Sequence, residues 1–143
     1  MRLACLLVSA MMLTACRSKE NNGPPIPASA DPEGKDLVAG AVVIATEDTG
    51  GVRIYKIKEV SFFPPPVGDE LVMLAFQEKG ADFAQAAKLW SKRELTVALP
   101  SVRVARHQFV KNRDYRVIAT EPVSKDELAL KRDDKLPPIA AKP

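Results

Sequence analysis

The sequence predicts a mainly β fold with one principal helix: a small antiparallel barrel or sheet of five to six strands, followed by a short C-terminal helix. Three observations point that way. Short runs rich in β-branched and aromatic residues alternate with Gly and Pro turn signals. One segment near Asp82 switches to a helical period. Residues 37–123 show no internal repeat and make up one region, long enough for one modest core and too short for two.

The run at 37–45, Leu-Val-Ala-Gly-Ala-Val-Val-Ile-Ala, is expected to be the first strand, stopped by Glu47-Asp48-Thr49-Gly50-Gly51. Two glycines can adopt positive φ, so a hairpin should follow. In the return strand, 52–60, Val52 and Ile54 share one face and Ile57 falls on the other; a bulge near Tyr55 and Lys56 would restore the phase. Phe62 and Phe63 precede Pro64-Pro65-Pro66, which lack backbone donors and must leave the sheet. Residues 71–76 are apolar on both faces, which predicts the central, most covered strand.

Beyond Gly80, Phe83, Ala86, Ala87 and Trp90 recur at i, i+3, i+4 and i+7, with Asp82 placed to cap the helix and with Gln85, Lys88 and Lys92 pointing elsewhere. Tyr55, Phe62, Phe63 and Trp90 are read as core or rim packing. A strand at 95–99 is interrupted by Pro100, and 102–109 resumes as a strand carrying His107 on the face of Ser101 and Arg103. Residues 111–114 read as a turn, and 115–121 as the strand that closes the domain. Ser124-Lys125-Asp126-Glu127 has the pattern of a capping box for a short helix from 125 to about 132. The order β-β-β-α-β-β fits an OB-type barrel. An SH3-like barrel, or an open antiparallel sheet with one helix across it, fits the order almost as well.

The N-terminus carries a different signal. Arg2 supplies positive charge, residues 3–15 carry none, and Leu13-Thr14-Ala15-Cys16 ends the stretch with small Ala15 before the cysteine. The stretch is shorter than the roughly 20 apolar residues a membrane span needs, and its order is that of a cleaved secretory signal. Leu13-Thr14-Ala15-Cys16 resembles the lipobox of bacterial lipoproteins. That resemblance implies cleavage after residue 15 and lipidation of Cys16, with diacylglycerol on the thiol and, in many species, an acyl chain such as palmitate on the new amino group. Two or three acyl chains, at about 0.8 kcal/mol per buried methylene, suffice for stable anchoring. By the family's sorting rule, Arg17 in place of Asp implies the outer membrane facing the periplasm in a Gram-negative cell.

Processing removes Cys5 and commits Cys16 to lipid, so no disulfide is expected in the mature chain, although the compartment would allow one. Losing Arg2 leaves 20 basic against 18 acidic residues, a nearly neutral protein. Residues 16–36, with Pro24, Pro25, Pro27 and Pro32, read as a lipidated cysteine and an extended tether. After the domain at 37–123, residues 124–143 read as the short helix and a Pro-rich tail.

Catalytic chemistry finds little support. The single histidine, His107, has no surviving thiol beside it and no nucleophile at a recognisable spacing. Too few His and Cys remain for a zinc site, no Gly-rich phosphate loop occurs, and no cofactor is implied. The acidic pairs Glu47-Asp48, Asp69-Glu70 and Asp133-Asp134 read as solvated turns, and only distance in space could make one a hydrolase pair. The most distinctive cluster is basic: from Lys92 to Arg116 there are seven Lys and Arg against Glu94 and Asp114. Arg103, Arg106, Lys111, Arg113 and Arg116 are therefore a candidate anion-binding face, with a lipid head group, an envelope protein or another anionic partner as ligand and nucleic acid excluded by the compartment. Alternatively, outward strand arginines simply keep edges soluble. The functional expectation is a membrane-anchored, non-enzymatic binding or scaffolding lipoprotein; the alternative is an accessory cell-wall enzyme or enzyme inhibitor.

Overall fold

A computed structural model describes Ile26 and residues 30–130. The lipobox, Cys16 and the tail beyond 130 lie outside the described residues.

Five antiparallel strands form one open sheet in the order β4-β3-β2-β1-β5. They are β1 (Ala41–Thr46), β2 (Val52–Ser61), β3 (Glu70–Gly80), β4 (Val97–Ala105) and β5 (Tyr115–Thr120), with helices α1 (Phe83–Lys92), α2 (Arg106–Asn112) and α3 (Lys125–Ala129). The open sheet is the arrangement found; neither barrel forms, because β4 and β5 lie at opposite edges and do not pair. The middle strand is β2 and not the third strand, although β3 is also interior.

Both faces of the sheet are covered, and this explains the phase change in β2. One core packs α1, through Ala86, Ala87 and Trp90, on Val42, Ile44, Val52 and Ile54. The other packs Phe109 of α2 and Leu37 on Val43, Tyr55, Ile57 and Met73. Ile54 and Ile57 therefore each face a core, and β1 reads as an unbroken apolar run because both of its sides are buried. β1 and β2 pair without interruption at Tyr55 and Lys56. The register shifts of β2 lie instead against β3, between Arg53 and Tyr55 and between Ile57 and Glu59.

Gly50 and Gly51 both take positive φ in the β1–β2 turn, as the hairpin requires. β1 begins at Ala41, later than the apolar run suggests. Gly40, at φ 89°, brings its backbone against the carbonyl of Glu121, which leaves no room for a side chain and ends the strand there. Helix α1 forms as its spacing predicts: the side chain of Asp82 accepts from the amide of Gln85 at 2.8 Å. β4 runs continuously through Pro100, where a residue without a donor is tolerated because the strand is an edge; the pairing with β3 slips on either side of it.

The main local difference is α2. Residues 106–109 continue as helix and not as strand, so His107 and Phe109 sit on a helical turn. Seven residues are too few to display a helical period, and Phe109 alone of them is buried, at the centre of an aromatic trio with Tyr55 and Tyr115. Residues 30–36 also depart from the tether expected of them. The hydroxyl of Tyr115 stands 2.8 Å from Asp31 O and 2.7 Å from Asp36 Oδ1, and its one O–H hydrogen bond to this pair of acceptors holds the stretch on the α2 face of the sheet. At the other end, α3 has the capping box between Ser124 and Glu127 and stops at Ala129.

Candidate functional site

The five basic residues singled out in the sequence do not form one face. Arg103 lies on edge strand β4 and pairs with Glu70 at 2.8 Å. Arg106, Lys111 and Arg113 follow α2 on one side of the sheet, whereas the guanidinium of Arg116 stands 5.1 Å over the ring of Phe83, on the α1 side. Most of them have structural work. Arg106 pairs with Asp69 at 3.3 Å and donates to the carbonyl of Leu37, although its Nε is buried without a hydrogen-bond partner. Arg113 donates to Thr46 O at 2.8 Å and lies over the ring of Phe109, and Arg116 donates to Asp114 and to Tyr115 O. Lys111 is exposed. Arg113 and Arg116 both line a groove of about 300 Å³ at the β5 edge, where Asp31 and Asp114 also lie and offset their charge.

The acidic pairs are likewise engaged or apart. Asp69 and Glu70 each face an arginine, and Asp133-Asp134 lies outside the described residues. Glu47 turns inward at the β1–β2 end, where Arg53, Lys79 and the Tyr55 hydroxyl converge on its carboxylate. Burial alone would raise its pKa, but hydrogen bonds and charge from Arg53 and Lys79 outweigh that and hold it at about 2. Burial beside this carboxylate pushes the Tyr55 hydroxyl up to about 12. The cluster clips the turn after β1 to β2 and β3 through a carboxylate held as an anion. His107 is exposed on α2. Among the described residues no group of three or more His, Cys, Asp and Glu could hold a metal, and no helix is long and apolar enough to cross a membrane.

Two features were at best partly legible in the sequence. Lys56 and Lys58 are 4% and 6% exposed on the α1 side of the sheet. The Lys56 ammonium donates to Glu127 at 3.0 Å and to Pro122 O at 3.2 Å, and Lys58 donates to Leu130 O at 2.6 Å. Helix α3 has no buried residue of its own, so these lysines tie it to the sheet. Their alternation in a strand, followed far downstream by an acidic capping box, was the only sequence trace of the link.

The second is an apolar end. Phe62, Phe63 and Val67 are 77%, 44% and 55% exposed in the loop joining β2 to β3, and exposed Val38 lies in the turn entering β1 at the same end of the sheet. Tyr55 and Trp90 are buried, as expected, but Phe62 and Phe63 are not packed. The three prolines that follow them carry the chain off the sheet before either ring can fold back.

Compared with known proteins, the chain matches no family model, and no curated protein or solved structure matches it.

Proposed function

We propose that this protein is a lipid-anchored module of the bacterial cell envelope that binds or scaffolds another envelope component without catalysing a reaction. The observation that carries the reading is Leu13-Thr14-Ala15-Cys16, with small Ala15 before the acceptor cysteine at the end of an uncharged stretch. Arg17 directs it to the outer membrane, facing the periplasm, in a Gram-negative cell. A binding role is favoured over a catalytic one because the carboxylates of Glu47, Asp69 and Glu70 are occupied by cations, while four apolar side chains at one end of the sheet are presented to solvent.

Intact-mass measurement of the protein extracted from membranes tests the anchoring. The mature chain should begin at Cys16 and carry the mass of diacylglycerol, with or without a third acyl chain. A mature chain that begins elsewhere, or that lacks lipid, would overturn it.

A further inference from the structure

We propose that the apolar end formed by Phe62, Phe63 and Val67 is a lipid-docking surface that seats the domain on the bilayer. The inference deepens the anchoring reading, on which its geometry rests.

Three observations favour a lipid surface as the occupant. The first is the backbone. Hydrocarbon penalises every unsatisfied amide, and Pro64, Pro65 and Pro66 have none, while the amide of Val67 donates to Pro64 O at 3.2 Å. A loop that exposes two phenylalanines beside three donor-free prolines is suited to entering an acyl layer; a loop built to bind protein edges would keep its amides available.

The second is charge. Residues 62–68 contain no ionisable side chain. The cations of the adjoining strand ends are paired, Arg106 with Asp69 and Arg103 with Glu70, while Glu59 and His107 stand exposed nearby. Docking therefore needs apolar transfer and no anionic head group, and zwitterionic phospholipid suffices.

The third is reach. Asp31 is held by Tyr115 at the hairpin end of the sheet, opposite to Phe62. From Cys16 to Asp31 the chain can span at most about 50 Å, whereas the ten residues of β2 extend roughly 33 Å. A lipid anchor at Cys16 thus leaves enough chain for the far end of the domain to turn down onto the same membrane.

A tryptophan added to the native Trp90 by Phe62→Trp in one variant and by Thr49→Trp in another, in the full-length protein purified from membranes and mixed with phosphatidylcholine vesicles carrying brominated acyl chains, tests this. Both positions are exposed, so each variant should fold, with circular dichroism as the check and wild-type Trp90 emission as the baseline. Entry into the bilayer should blue-shift the emission added at position 62 and bromine should quench it, while that added at position 49 stays unchanged, with little effect of salt. Flotation of the protein without quenching at position 62 would overturn the docking surface and leave the anchor standing. Equal quenching at both positions would overturn an end-on orientation and with it the proposal. If the protein carries no acyl chain, the anchoring reading fails separately, and quenching at position 62 on the same vesicles still decides whether the loop enters lipid.

Discussion

Replacing Trp90 by alanine should remove a large part of the stability of the domain. The indole is 6% exposed on α1, in the cluster with Val42, Ile44 and Ile54, its ring centroid 6.1 Å from that of Phe76 and 4.2 Å beneath the Arg93 guanidinium. Truncating a buried Trp to Ala costs about 3–5 kcal/mol. Trp90 lies in the last turn of α1 with one edge near solvent, where water can fill part of the void, which argues for about 3 kcal/mol. The contact with Arg93 adds roughly 0.5 kcal/mol, since that arginine is itself half exposed. A small domain has about 5–15 kcal/mol in all. With a urea slope of about 1–3 kcal/mol per molar, the midpoint should fall by about 1–3 M. Circular dichroism at 222 nm is the assay, because the substitution removes the only tryptophan. Lys88→Ala, on the exposed side of the same helix, should stay within about 0.5 kcal/mol. Equal midpoints for the two variants would refute the claim that α1 is held through this ring.

Three further outcomes follow from the buried charges. The folded pKa of Glu47 is depressed from 4.5 to about 2, so its stabilisation is present above pH 4.5 and is lost as pH falls towards 2. The stability gap between wild type and Glu47→Gln should therefore reach about 2–3 kcal/mol at pH 6 and close near pH 2; a gap that does not change with pH would contradict the clip. Burial and the neighbouring Glu47 charge raise Tyr55 to about 12, and burial and Asp36 raise Tyr115 above the ordinary tyrosine range. Both contribute stability below pH 10 that is lost as pH rises through their folded values, so the protein's two tyrosines should show little tyrosinate absorbance at 295 nm at pH 10 while the fold persists. Half-ionisation of either at pH 10 in the folded protein would count against its enclosure. Lys56→Met should leave the sheet folded, since methionine fills the space of the buried lysine and the part-exposed Glu127 carboxylate can turn to water once α3 is released; hydrogen exchange of residues 124–130 should rise several-fold, and unchanged protection would show that something else holds the helix.

Where a local rule and the tertiary structure agreed, the sequence was readable. The paired glycines at 50 and 51 require the hairpin whatever surrounds it, the Phe83 to Trp90 spacing admits only a helix, and Ser124 with Glu127 caps α3 through side chains four positions apart at most. Where long-range packing decided, it was not. Nothing local distinguishes a sheet covered on both faces from one covered on a single face, so Ile57 suggested a phase-restoring bulge near Tyr55 and Lys56 when it was facing a second core; the irregularity that does occur there, between Arg53 and Tyr55, lies against β3. Helix α2 is too short to declare its period, and its one buried residue, Phe109, is equally at home in a strand. Basic residues close in sequence were separated onto two sides of the sheet by the passage from α2 to β5, while Lys56 and Glu127, 71 positions apart, were brought together. The apolar end was half legible: the prolines announced that Phe62 and Phe63 leave the sheet, but only the fold shows how far both stay exposed among the described residues.

The central claim, anchoring through Cys16, is tested most directly by metabolic labelling with an alkyne fatty acid. The wild-type protein should take up label and float with the envelope fraction, and Cys16→Ser should take up none and accumulate as a precursor with its N-terminal segment retained. Equal labelling of the two proteins, or an unlabelled wild type, would contradict the account.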